Sequence, residues 1–278
     1  MELFLKAEIK KSRKKEIYFL IFLIFLFFIL NYKFFDRLTI SFFSSEESLI
    51  KEKICFVERV VDGDTIIACG NNTRLLGINS PEKGERFYIE AKEYLSKRIE
   101  NKSVTLRFSN EKYDKYGRVL AYVYLGEECI NSKIIENGFA NPYFLQEKDF
   151  HFKEFFESWE ICLKKNRGIC TISKDSCSKC ISLEKLDPIK EKVVIKNNCD
   201  FSCNLNKWSI KDEGRKIFFF SEYSLYPNSE VSILVSNEKI SSKKELIWKR
   251  EDTVWTDSGD TLFLRDSMGE LVLWKNYS

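Results

Sequence analysis

Histidine is all but missing: this chain of 278 residues has one, His151. That excludes multi-histidine metal centres and any triad drawing its histidine from a cluster, and it leaves general-base chemistry to a carboxylate. An excess of charge of one sign is lacking too. The net charge is +3, and acids and bases nearly balance along both halves, so no global basic field marks the surface. Any polyanion must therefore be gripped by a local site. A hydrophobic content of 44% over this length supplies two modest domains with cores of their own.

What the amino terminus lacks is a polar face. "KKSRKKE" (Lys10 to Glu16) precedes "IYFLIFLIFLFFIL" (Ile17 to Leu30), with further aromatics at Tyr32, Phe34 and Phe35. At helical rise, residues 17–35 span about 28 Å, close to the hydrocarbon thickness of a bilayer. No small-x-small cleavage site follows soon after. The reading is a basic cytoplasmic tail over 1–16, a single-pass transmembrane helix over 17–35 and a polar stalk over 36–52. The basic flank keeps the amino terminus in the cytoplasm and places the rest outside it. A cleaved signal peptide, giving a secreted protein, is the alternative.

After the stalk, "KICFVERVV", "DTIIACG" and "TRLLGI" have the β-branched and aromatic content of three successive strands. "GERFYIEAKEYLSKRIEN" then puts Tyr88, Ala91, Leu95 and Ile99 on one helical face. Two more strands follow ("SVTLRFS", "RVLAYVYL"). After them come a short helix ending at Gly138 and a longer one over 147–165, with Phe152, Phe155, Phe156 and Trp159 on one stripe. Five short strands with a helix between the third and fourth is the order of an OB-fold barrel in an α+β domain. Each charged residue in this stretch has an ordinary reading alone. Asp62-Gly63-Asp64 is a hairpin turn, Arg74 a surface ion-pair partner, and Glu82 after Pro81 a helix cap.

Four blocks in order, "VDGDT", "RLLGINSPE", "DKYGR" with "LAYVY", and "INSKIIENGFA", make residues 53–170 resemble the staphylococcal nuclease (thermonuclease) family. The resemblance implies a calcium-dependent nuclease that hydrolyses DNA and RNA. It implies Asp64, Asn79 and the carbonyl of Ser80 as calcium ligands and Asp62 as an acid behind them. Glu82 becomes the general base, Arg74 and Arg118 the phosphate clamps, and Lys115 and Tyr116 contacts to a bound nucleotide. Asn79 departs from the family, which commonly has aspartate there. A neutral amide keeps an oxygen ligand and weakens the hold on a divalent cation.

Residues 171–186 read as a cysteine-bearing linker, and 187–278 as short strands of an antiparallel, all-β immunoglobulin-like sandwich. This stretch resembles the lamin-tail domain through Trp208, Asp212, Pro227, Trp255, Gly259, Asp260, Asp266 and Gly269. Of nine cysteines, Cys55 and Cys69 flank the Asp62–Asp64 turn almost symmetrically and face each other across the hairpin. Cys162, Cys170, Cys177, Cys180, Cys199 and Cys203 gather around the linker. Disulfides are the reading outside the cytoplasm, with an odd thiol left over and the cluster stapling the second domain onto the first. A four-thiolate structural zinc at Cys177, Cys180, Cys199 and Cys203 is the alternative. Two further readings stand beside an enzyme: a non-hydrolytic nucleic-acid-binding barrel, and a surface interaction protein whose sandwich matters most.

Overall fold

Cys55, Val57 and Val60 are buried along a strand whose neighbours are exposed, and that alternation starts the first sheet. The structure, a computed structural model, describes residues 52–144, 150–237, 245–250 and 252–277. The stretches read from sequence as tail, membrane anchor and stalk, up to Lys51, lie outside the described residues. None of the described helices is long and apolar enough to cross a membrane.

The barrel is built from β1 (Glu52–Val60), β2 (Thr65–Ala68), β3 (Asn71–Leu75), a short β4 (Ile78–Asn79), β5 (Ser103–Tyr113), β6 (Val119–Leu125) and β7 (Glu128–Cys129). The sheet runs β3-β2-β1-β5-β6-β7 and closes on itself through a parallel β3–β6 pairing, so β1, β2, β3, β5 and β6 make a five-stranded barrel. Helix α1 (Tyr88–Ile99) crosses between β4 and β5, burying Ala91, Leu95 and Ile99. Helix α2 (Ile130–Glu136) follows, and β8 (Asn141–Pro142) pairs with β4. Helix α3 begins later than its periodicity predicts, at Phe152, and runs to Lys165. Phe155 and Trp159 are its fully buried aromatics, and Phe152 and Phe156 are half-buried.

The second domain is a sandwich. One sheet orders β16 (Glu245–Lys249), β15 (Glu230–Ser236), β10 (Lys192–Asn197) and β9 (Ile181–Asp187). The other orders β13 (Ile217–Phe219), β12 (Ser209–Lys211), β17 (Asp260–Arg265) and β18 (Leu271–Tyr277), with β11 (Cys203–Asn204) and β14 (Ser224–Leu225) pairing separately. Between the sheets lie Val193, Ile195, Trp208, Ile210, Phe220, Val231, Ile233, Trp248 and Trp255. Two expectations are corrected here. From Ile181 onward the stretch read as linker is the first strand of the sandwich, and β15 and β16 run parallel rather than antiparallel.

Disulfides join Cys55 to Cys69, Cys162 to Cys170, Cys177 to Cys203 and Cys180 to Cys199. The four sulfurs considered for zinc are thus paired, and Cys129 remains as a buried thiol that burial pushes up to about 12. None of these bridges links the two domains, contrary to the expected staple. Packing and polar contacts hold them instead. Phe263 and Leu271 join the core of the barrel domain, and Trp159 stands edge-on to Phe263 and Trp274 at 5.5 and 6.0 Å.

Three buried acids line this junction. Burial, reinforced by the charge of Asp260, raises Asp212 to about 7 and Glu213 to about 8, and burial raises Asp260 to about 6. An acid that holds its proton more tightly when folded stabilises the fold fully below its unfolded value near 4. That contribution fades as pH rises through the folded values. Melting followed by circular dichroism should show stability falling between about pH 4 and pH 8, and Glu213→Gln should flatten the slope and raise the melting temperature at pH 8.

Candidate active site

The turn from β1 to β2 sets the first acids. The Asp64 N–H donates to Asp62 Oδ1 at 3.1 Å, and the N–H groups of Val61 and Asp62 both donate to the Thr65 carbonyl. Gly63 is required here by space: a Cβ would lie 2.7 Å from Ser80 Cβ and 2.8 Å from Ala91 Cβ. That close approach lets the Ser80 N–H donate to Asp64 Oδ2 at 2.8 Å, while Thr65 Oγ1 donates to Asp64 Oδ1 at 3.1 Å.

Register brings the arginine in. Thr65 pairs with Arg74 across β2 and β3, and the Arg74 guanidinium reaches Asp64 Oδ2 at 3.2 Å with the two side chains 9% and 5% exposed. Arg74 Nη1 donates to the Leu75 carbonyl at 2.6 Å. Nη2 donates to the Ile78 carbonyl at 2.7 Å and to Asn79 Oδ1 at 3.3 Å. Arg74 is thus a buried tie that fixes Asp64, β3 and β4 together, a tighter setting than a phosphate clamp alone would need.

Asp62, Asp64, Asn79 and the Ser80 carbonyl supply oxygen donors only, which suits a hard cation and not zinc. Burial, and then the charge of Asp64, raise the Asp62 carboxyl above its ordinary value. Two crowded carboxylates against one guanidinium leave negative charge for a cation to offset, so the donor set fits calcium in kind. The Asn79 amide has a second duty. Its Nδ2 donates to the Gly214 carbonyl of the second domain at 2.9 Å, a bond that an aspartate could not make.

Glu82 lies two residues beyond Ser80, and its side chain is half-exposed. Its N–H donates to Glu85 Oε2 at 3.0 Å, and its carboxylate Oε1 is 2.6 Å from Arg215 Nε. Arg118 is elsewhere engaged: Asp114 Oδ2 accepts from its Nε at 2.7 Å, and the ring of Tyr116 lies 5.6 Å from the guanidinium. Burial alone would raise Asp114, but hydrogen bonds from the backbone and side chain of Arg118 outweigh it and lower the carboxyl. Lys115 and Tyr116 are exposed on the same turn.

Sequence reasoning missed Asp114 as the partner of Arg118, and it missed the whole contribution of the second domain. Asn141 Nδ2 donates to the Glu213 carbonyl at 2.9 Å, Lys211 Nζ sits 2.8 Å from both oxygens of Glu85, and Arg86 Nη1 donates to the Met268 carbonyl at 2.7 Å. The D-x-x-x-R spacing within "DKYGR" was a signal for the first, since aspartate readily bonds the backbone of its own turn. No local signal marks the second.

Comparison with known proteins bears on the barrel domain. The family model described as "Staphylococcal nuclease homologue" matches residues 72–169. A thermonuclease of Staphylococcus intermedius is 33% identical over 117 residues, spanning 38% of this chain and 70% of that protein. A thermonuclease of Staphylococcus hyicus is 32% identical over 126 residues, spanning 42% and 74%. An uncharacterized endonuclease of Haemophilus influenzae is 34% identical over 98 residues, spanning 34% and 54%. At such identity and coverage of both thermonucleases, this chain belongs to the staphylococcal nuclease homologue family and is a hydrolase, a nuclease of the micrococcal nuclease type.

Proposed function

We propose that the chain is a calcium-dependent nuclease that hydrolyses phosphodiester bonds of DNA and RNA outside the cytoplasm, tethered to a membrane through residues 17–35. The observation that carries the chemistry is the bonded cluster of Asp62, Asp64, Arg74, Asn79 and Ser80 with Glu82 two residues beyond it. Calcium held there would neutralise charge that builds on the phosphate as the bond breaks. Asp64 and Asn79 would hold it through side-chain oxygens and Ser80 through its carbonyl. Asp62 adds negative charge behind them. Glu82, half-exposed, can take a proton from an attacking water. Arg118 would leave Asp114 to grip the phosphate with its planar fork, and Arg74 would keep the acid cluster in register. Lys115 and Tyr116 lie on the same turn as Arg118, where a terminal phosphate and base would meet them.

The tether rests on the unbroken apolar run after a basic flank, and four disulfides suit an oxidising compartment. The sandwich is read as a lamin-tail-like domain with an immunoglobulin-like fold; its residues Trp208 and Trp255 are core.

Digestion of single-stranded DNA and of RNA by the full-length chain tests the reading. Wild type should degrade both, and Asp64→Asn should be slower by about 10²-fold or more, because a fixed charge at the reacting centre is lost. Equal rates for the two proteins would end it.

A further inference from the structure

Lys211 and Arg215 belong to one hairpin of the sandwich, the turn between β12 and β13, and both reach the short segment that carries Glu82. Lys211 holds the Glu85 carboxylate, and Glu85 in turn accepts from the Glu82 N–H. Arg215 meets the Glu82 carboxylate itself at 2.6 Å. Below them the Gly214 carbonyl accepts from Asn79, and the Glu213 carbonyl accepts from Asn141. The Glu213 carboxylate accepts from the Phe144 N–H at 3.2 Å. The hairpin is therefore anchored on Asn79, Asn141 and Phe144 while its basic side chains reach the Glu82–Glu85 turn.

The guanidinium groups differ in freedom. Arg74 is buried and spends its donors on the Leu75, Ile78 and Asp64 carbonyls and on the side chains of Asp64 and Asn79. Arg118 is tied to Asp114 by side chain and backbone. Arg215 is 58% exposed, and its partner Glu82 is 42% exposed. An exposed pair of this kind is weakly held, so Arg215 can exchange a carboxylate for a phosphate with little resistance. A phosphodiester close enough for Glu82 to activate its attacking water lies within reach of the same guanidinium.

We propose that the second domain completes the nuclease site, with Arg215 as a further substrate-binding residue that leaves Glu82 for a backbone phosphate when a polynucleotide arrives. Lys211 is a positioning residue that holds Glu85, and through it the turn of Glu82. This inference rests on the reading of Glu82 as the base. It also accounts for Asn79: an amide docks the hairpin where an aspartate would face the Gly214 carbonyl with a second acceptor.

The test uses the full-length chain in detergent, with single-stranded DNA of fixed length, initial rates over a range of salt, and melting temperature as a check of folding. Arg215→Ala should lower kcat/KM by about 10- to 100-fold, the worth of a charge-assisted hydrogen bond. The slope of log kcat/KM against log salt should shrink by about 0.7, one phosphate contact on a single strand. Arg215→Lys should restore the salt slope and only part of the rate. Melting should stay near wild type throughout. Unchanged rate and slope in Arg215→Ala would overturn the proposal, and a faster Arg215→Ala would do the same by showing that Arg215 blocks the site. If Arg215→Ala is unchanged while Glu82→Gln is inactive, this inference fails and the reading of the site stands. If wild type digests no faster than Glu82→Gln, both fail.

Discussion

Glu82→Gln is expected to lower kcat on single-stranded DNA by about 10²- to 10⁴-fold, the usual contribution of a positioned base, while melting stays close to wild type. The two halves of that result separate chemistry from structure. The amide keeps the shape of the side chain and an acceptor for Arg215, and the pair it weakens is exposed on both sides, where ion pairs contribute about 1 kcal/mol or less. Stability therefore has little to lose. The bonds of this turn, from the Glu82 N–H to the Glu85 carboxylate and from the Glu85 N–H to the Glu82 carbonyl, do not involve the carboxylate that changes. What the amide cannot do is accept a proton at neutral pH. Single-turnover digestion at saturating metal, beside a thermal melt of the same preparation, checks both halves. A large fall in melting temperature with an equal fall in rate would make Glu82 a structural residue.

Arg74→Met is expected to destabilise the protein by about 3–5 kcal/mol, the cost of removing one partner from a buried ion pair. Asp64 would lose its cationic partner in a setting where its side chain is 5% exposed. The Leu75 and Ile78 carbonyls would each lose a donor, which adds to the penalty. The double variant Arg74→Met with Asp64→Asn should recover part of the loss, because it removes both charges together. Urea unfolding of the single and double variants measures the coupling. A single variant within about 0.5 kcal/mol of wild type is the behaviour of an ordinary surface residue and would refute the buried tie. Lysine at 74 should rescue poorly, since its point charge cannot serve two carbonyls and a carboxylate in one plane.

The barrel was legible because its strands alternate apolar and polar residues over a continuous core, and α1 repeats its apolar positions at helical spacing. The cluster of Asp62, Asp64, Arg74, Asn79 and Ser80 was legible as a group through two ordered blocks of sequence, "VDGDT" and "RLLGINSPE". What those blocks do not carry is how each guanidinium is spent. Arg74 is saturated by carbonyls that no side-chain pattern encodes, and Arg118 is claimed by a neighbour four residues away. β9 hid inside the supposed linker because a register shift opposite Val194 and Ile195 breaks its alternation: Ile181 and Leu183 share a phase that Leu186 does not. The contacts of Lys211, Gly214 and Arg215 were invisible for a different reason. "KDEGRK" reads as any hairpin turn, and its partners lie far back in the chain, 135 residues for Asn79 and 126 for Glu85. In the sequence Asn79 reads as a weakened calcium ligand, and the fold gives the same residue a docking role as well.

The hydrolysis rate of single-stranded DNA, followed as calcium is titrated from chelator to saturation, bears most directly on the claim that an oxygen-lined cation pocket drives this chemistry. The rate should rise from near zero to a plateau in step with calcium-binding heat, and both signals should vanish in Asp64→Asn. Digestion that proceeds equally well in chelator, or binding heat that survives Asp64→Asn, would contradict it.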